Sequence, residues 1–233
     1  YTGFAQVGRG FVGHLIRFEK NKNRFAKMKI PPQEVIHAMA SRAHRLHHYL
    51  WHQVRNSWHG YPDTTKEIIR NLGWEPPRPA LKIDGSLATD NYSGEDFLYM
   101  HRKMIGFVNG ILARVGNTNY PKVEGWITIP EPNNPNFSVP PFWDTGNPDD
   151  NDLLQLVKSD DYYANRIRNW ESDYTSETTL RRMTLGELGS RVEFTIHNIL
   201  HMRWCSKPNL GIRPDPSEND PIAIPTEWDN PID

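Results

Sequence analysis

The sequence predicts a mainly α-helical protein, and two observations carry that expectation. Apolar residues recur at helical spacing in several long stretches, and segments dense in Pro, Gly and Asn separate them. At 233 residues, the chain suits one domain spanning 1–233, with room for a substantial core. A formal net charge of −1 and a pI of about 6.9 provide no basic field, so no nucleic-acid partner is expected. No apolar run approaches the roughly 18 residues of a membrane span, and mean hydropathy is −0.70. The single cysteine, Cys205, excludes an intramolecular disulfide and an all-thiolate metal site. Ten histidines are the compositional anomaly.

Taken in order, residues 5–28 mix apolar and basic groups (Phe11, Val12, Leu15, Ile16 and Phe18) and fit a helix broken by early glycines. His14 stands alone there and is set aside, because a site needs convergent partners. After Pro31-Pro32, a long helix is predicted from Gln33 to about Trp58, with Ile36, Met39, Ala43, Leu46, Leu50 and Val54 at helical spacing. On a 100° wheel, His37, His44, His48, His52 and His59 fall within about 80° of one another, and His47 stands off that arc. One edge of this helix is therefore an imidazole ladder.

Residues 60–93 read as connection, punctuated by Gly60-Tyr61-Pro62-Asp63 and Pro76-Pro77-Arg78-Pro79, with a short helix over Thr64–Leu72. A helix from Gly94 or Glu95 to about Val115 places Phe97, His101, Met104, Ile105, Val108 and Leu112 on one face, which points His101 toward the core. Residues 117–150 form a long Pro/Asn/Gly-rich loop of the kind that covers or lines sites, with Phe137, Phe142 and Trp143 as aromatic anchors. Asp152 to about Arg168 is an amphipathic helix without visible site chemistry. Thr184-Leu185-Gly186-Glu187 fits a capping box, so the last helix is expected from Leu185 to about Cys205. It carries Glu193, His197 and His201 four residues apart along one face. Residues 206–233 read as extended wrapping segment.

A histidine pair at i, i+4 rises about 6 Å along a helix, so both rings can reach one metal ion. Imidazole-only sites favour copper, zinc, iron or nickel over magnesium or calcium. The zinc-protease pattern His-Glu-x-x-His is absent. A ferritin-like di-iron bundle needs paired Glu-x-x-His motifs, and only Glu34 to His37 supplies one.

Three stretches carry a family resemblance: His47-His48-Tyr49-Leu50-Trp51-His52, then Gly94-Glu95-Asp96-Phe97-Leu98-Tyr99-Met100-His101-Arg102-Lys103-Met104-Ile105, then His197-Asn198-Ile199-Leu200-His201. In this order, over roughly residues 44–204, they resemble the binuclear type-3 copper proteins, the tyrosinases, catechol oxidases and haemocyanins. The resemblance implies a mainly α, antiparallel helical bundle that holds a dinuclear metal site, with long Pro-rich irregular loops. It implies two copper ions, the first held by His48, His52 and His101 and the second by His197 and His201. The ladder alone leaves His44 with His48 nearly as good a pair; the match at Trp51-His52 favours the later one.

The activity implied is that of a copper monooxygenase or phenol oxidase, with dioxygen as co-substrate and a phenolic small molecule or peptide converted to a catechol or o-quinone. Glu193 and Asn198 would then be catalytic, holding a water that accepts the phenol proton. A haemocyanin-like oxygen carrier and a structural remnant with one copper are the competing expectations. The family's sixth ligand lies on a helix after the second pair, and no histidine follows His201. We expect a domain lacking its last metal-binding helix, with the sixth imidazole on an additional polypeptide segment. The other two routes are a second copper that is two-coordinate or absent, and substitution by an upstream histidine such as His44.

Overall fold

The computed structural model describes residues 31–76, 78–205, 207–209 and 224–225. The helix expected over 5–28 and His14 lie outside them. The described chain is mainly helical. Its extended pairing consists of two short strands, β1 (Pro208–Asn209) and β2 (Ile224–Pro225), antiparallel to each other, and an isolated bridge between Leu81 and Leu87. No helix among the described residues is long and apolar enough to cross a membrane.

The long helix expected from Gln33 is two helices, α1 (Gln33–Ala40) and α2 (Arg42–Ser57), ending in a 3-10 turn at Trp58–Gly60. Ser41 makes the break. Its backbone is extended, its hydroxyl donates to Ala38 O at 2.8 Å, and the same oxygen accepts from His44 N at 3.3 Å. A serine that bonds its neighbouring backbone competes with the helix and caps the next one. Helical periodicity does not register that event, so the ladder's angular arc applies only from Arg42 onward. His37 lies on α1 and His59 in the 3-10 turn, both exposed.

Helix α3 (Asp63–Asn71) follows the connection at Pro62. Helix α4 (Ser93–Val115) is the longest described and ends at Gly116, whose positive φ of 66° lets its N–H return to Leu112 O. Helix α5 (Pro148–Lys158) starts with proline at its first position and Asn147 capping Asp149 N at 3.0 Å. The helix expected over 152–168 therefore begins earlier, breaks at extended Ser159, and resumes as α6 (Asp160–Tyr162), a π-helical turn (Tyr163–Ile167) and α7 (Arg168–Thr175). Beyond α8 (Glu177–Leu180), the final helical run comprises α9 (Leu185–Val192), a π-helical turn (Glu193–His197) and α10 (Asn198–Trp204). Thr184 caps it by accepting from Glu187 N at 3.1 Å.

Two apolar clusters flank the middle of the protein. Val35 and Met39 of α1 pack with Val108, Ile111 and Leu112 of α4. Ile129 of the long loop packs with Tyr163, Ile167 and Ile196, joined by Ile199, Leu200 and Trp204. The contact that matters most for the site is the crossing of α4 and α9. A Cβ on Gly94 would overlap Gly186 O and lie 2.6 Å from Ser190 N, and one on Gly189 would overlap Gly94 O. Only glycine lets these backbones meet, and their meeting sets how closely His101 approaches His197.

A buried and a half-buried cation anchor the other end of the run. Arg203 is fully buried, and its Nη1 donates to Val157 O at 2.7 Å and Ser159 O at 2.9 Å. Lys158 Nζ donates to Arg203 O at 2.9 Å and Cys205 O at 2.6 Å. Each side chain donates to carbonyls at the end of the other's helix. The helix that showed no site chemistry in sequence thus fixes the end of the histidine helix. The long loop closes over the same end, where Trp204 Nε1 donates to Phe137 O at 3.1 Å and Trp126 lies 5.2 Å from the Trp204 ring.

Candidate metal centre

Helices α2, α4 and the π turn with α10 bring five imidazoles together. His48, His52, His101 and His197 each offer one ring nitrogen, and these four nitrogens all lie within 4.8 Å of one another. His201 joins through its Nε2, 3.0 Å from His197 Nε2. His48 Nε2 is 3.1 Å from His52 Nε2, and His101 Nε2 is 2.9 Å from His197 Nε2. The closest approach of His101 is thus to the His197 side of the cluster, whereas the resemblance grouped it with His48 and His52. His44 stays at the margin, with its ring 6.3 Å from His48 and stacked on Phe107.

The outward nitrogens explain why the inward ones face each other. His52 Nδ1 donates to Glu193 Oε1 at 2.8 Å, His101 Nδ1 to Phe97 O at 2.9 Å, and His197 Nδ1 to Asn198 Oδ1 at 3.2 Å. Each acceptor is an oxygen without a proton of its own, so each Nδ1 carries the hydrogen and each neutral ring turns a bare Nε2 lone pair inward. The rings are held neutral. Burial pushes His101 down to about 3 and His197 down to about 2, with the neighbouring histidines reinforcing the shift. Burial also lowers His52, opposed by Glu193.

Between His101 and His197, two lone pairs therefore face each other at 2.9 Å with no proton to share. That arrangement is repulsive by itself and favourable around a cation. Nitrogens bound about 2.0–2.1 Å from one ion and subtending about 90–110° lie about 2.9–3.4 Å apart. All three Nε2 pairs fall in this range. The described residues thus fit a metal of imidazole preference, and this group of histidines can hold an ion.

Glu193 does not stand on the His197–His201 line. The π turn over Glu193–His197 admits one extra residue into the helical turn, which rotates the side chains on either side relative to each other by about 100°. Glu193 is 1% exposed and its Oε1 reaches across to His52 and to Arg55 Nη1 at 2.7 Å. Arg55 was not among the residues singled out by sequence. It is 4% exposed, its guanidinium lies 4.0 Å over the Trp51 ring, and its Nη2 donates to Ser93 O at 2.7 Å. Its position three residues after His52, on nearly the same helix face, was the available signal.

Against known proteins, no family model matches this chain and no curated protein matches it in sequence.

Proposed function

We propose that the histidine cluster is a copper centre that uses dioxygen to oxidise a phenol to a catechol or o-quinone. The observation that carries the metal reading is the unprotonated His101–His197 contact, two inward lone pairs at 2.9 Å held in place by Nδ1 donors. Copper is selected among imidazole-loving metals by the likeness of the three histidine stretches to the type-3 copper proteins. A bound copper pair would supply the two electrons that dioxygen reduction needs. His48, His52, His101, His197 and His201 would hold the metal, while Phe97 O, Asn198 and Glu193 fix three of the rings.

One observation favours a second reading, reversible oxygen carriage. Glu193 is buried and its Oε1 is taken by His52 and Arg55, so this oxygen is not directed at a substrate water. The experiment is copper reconstitution with metal analysis, followed by oxygen uptake with a monophenol and a catechol. Two copper equivalents with catalytic uptake support the oxidase; two equivalents with reversible, phenol-independent uptake select the carrier. At most one equivalent, or preferential retention of zinc, overturns the binuclear copper reading.

A further inference from the structure

The geometry points to Arg55 and Glu193 as a positioning pair that acts on the metal through His52. This rests on the reading of the cluster as a metal centre. Glu193 Oε1 sits at a three-way junction, accepting from His52 Nδ1 at 2.8 Å and from Arg55 Nη1 at 2.7 Å. A metal-ligating histidine is commonly held through its other nitrogen by a carboxylate, which sets the tautomer and raises ligand basicity. Among His52, His101 and His197, only His52 has a charged partner, because the other two lean on a carbonyl and an amide.

A buried carboxylate is costly unless paired. Arg55 supplies the pairing and is itself immobilised by Trp51, at 4.0 Å, and by Ser93 O. Ser93 is the first residue of α4, the helix that carries His101. The guanidinium therefore ties three things together: the α2 ring through Glu193, the start of the α4 helix, and the π turn that bears Glu193 and His197. Glu193 Oε2 is buried with no hydrogen-bond partner among the described residues, so the carboxylate's bonds all run through the other oxygen.

The test combines metal-free and metal-loaded protein. In metal-free wild type, ring-nitrogen NMR should show His52 as the Nδ1–H tautomer with a downfield, slowly exchanging proton. Glu193→Leu, which removes the acceptor, should abolish that signature and weaken copper(II) binding about 10–100-fold. Arg55→Lys, which keeps the charge but not the forked contact with Ser93 O, should give a smaller loss in the same direction; Arg55→Met should give a larger one. A folded Glu193→Leu protein that keeps the His52 proton signal and binds copper(II) within twofold of wild type overturns the proposal. If that variant does not fold, an Nε2–H tautomer at His52 in wild type overturns it instead. Wild type that binds no copper(II) overturns the metal reading alone, since the tautomer measurement still decides whether the pair orients the ring.

Discussion

Replacing Gly94 by alanine tests whether the close α4–α9 crossing builds the site. The added Cβ would overlap Gly186 O and come to 2.6 Å from Ser190 N, both backbone atoms that cannot rotate away. Relief to ordinary contact requires the two helices to part by about 1.5 Å, with an overpacking cost toward the upper end of about 1–3 kcal/mol. Helix propensity returns about 0.5–1 kcal/mol of that, leaving a net loss of about 2 kcal/mol. The same helix offers an internal control. A Cβ on Gly110 would meet nothing within 4 Å, so Gly110→Ala should gain about 0.5–1 kcal/mol. Urea denaturation should therefore separate the two alanine variants by about 3 kcal/mol. Parting the helices also moves His101 away from His197 by more than the roughly 0.5 Å that a binding constellation tolerates, so Gly94→Ala should weaken copper(II) binding and Gly110→Ala should not. Equal stability and equal affinity in the two variants would refute the account of the crossing.

Two further perturbations follow from buried groups. Because His101 and His197 are pushed down to about 3 and about 2 by burial, both stay neutral in the folded protein while the unfolded chain takes up protons below about pH 6.5. Stability of the metal-free protein should hold above that pH and fall as pH drops through 6 toward 3. The slope should reach up to about 1.4 kcal/mol per pH unit for each histidine; a flat urea midpoint between pH 7 and 5 would contradict this. Arg203→Met should cost about 1–3 kcal/mol, since it leaves the buried Val157 carbonyl without its donor, while Ser159 O keeps Tyr163 N. A change below about 0.5 kcal/mol in urea denaturation, the scale of an ordinary surface substitution, would show that those bonds do not hold the end of α10.

Much of the architecture was legible because helical periodicity is a local property. Ile36 and Met39 on α1, Val54 on α2, and Phe97, Val108 and Leu112 on α4 are buried as their spacing indicates, whereas Ala43 and Leu46 on α2 and Ile105 on α4, expected on the same faces, are exposed. Breaks made by single side chains were not legible. Ser41 and Ser159 each sit between apolar-periodic residues, and only the bonds their hydroxyls and neighbours make in three dimensions turn them into helix ends. The wheel that placed five histidines on one arc assumed an unbroken helix, which is why His37 and His59 fall away from the cluster while His48 and His52 enter it.

The stretch from Glu193 to His201 shows the same division most sharply. Local sequence established two imidazoles at i, i+4 and a carboxylate within one turn of them, because those spacings follow from helix geometry alone. Tertiary structure decided what they do. The π turn swings Glu193 off the histidine line, and the carboxylate then finds His52 and Arg55 on α2, about 140 residues earlier in the chain. A buried charge takes whichever partners the packing brings within hydrogen-bond reach, and only the folded chain specifies which those are.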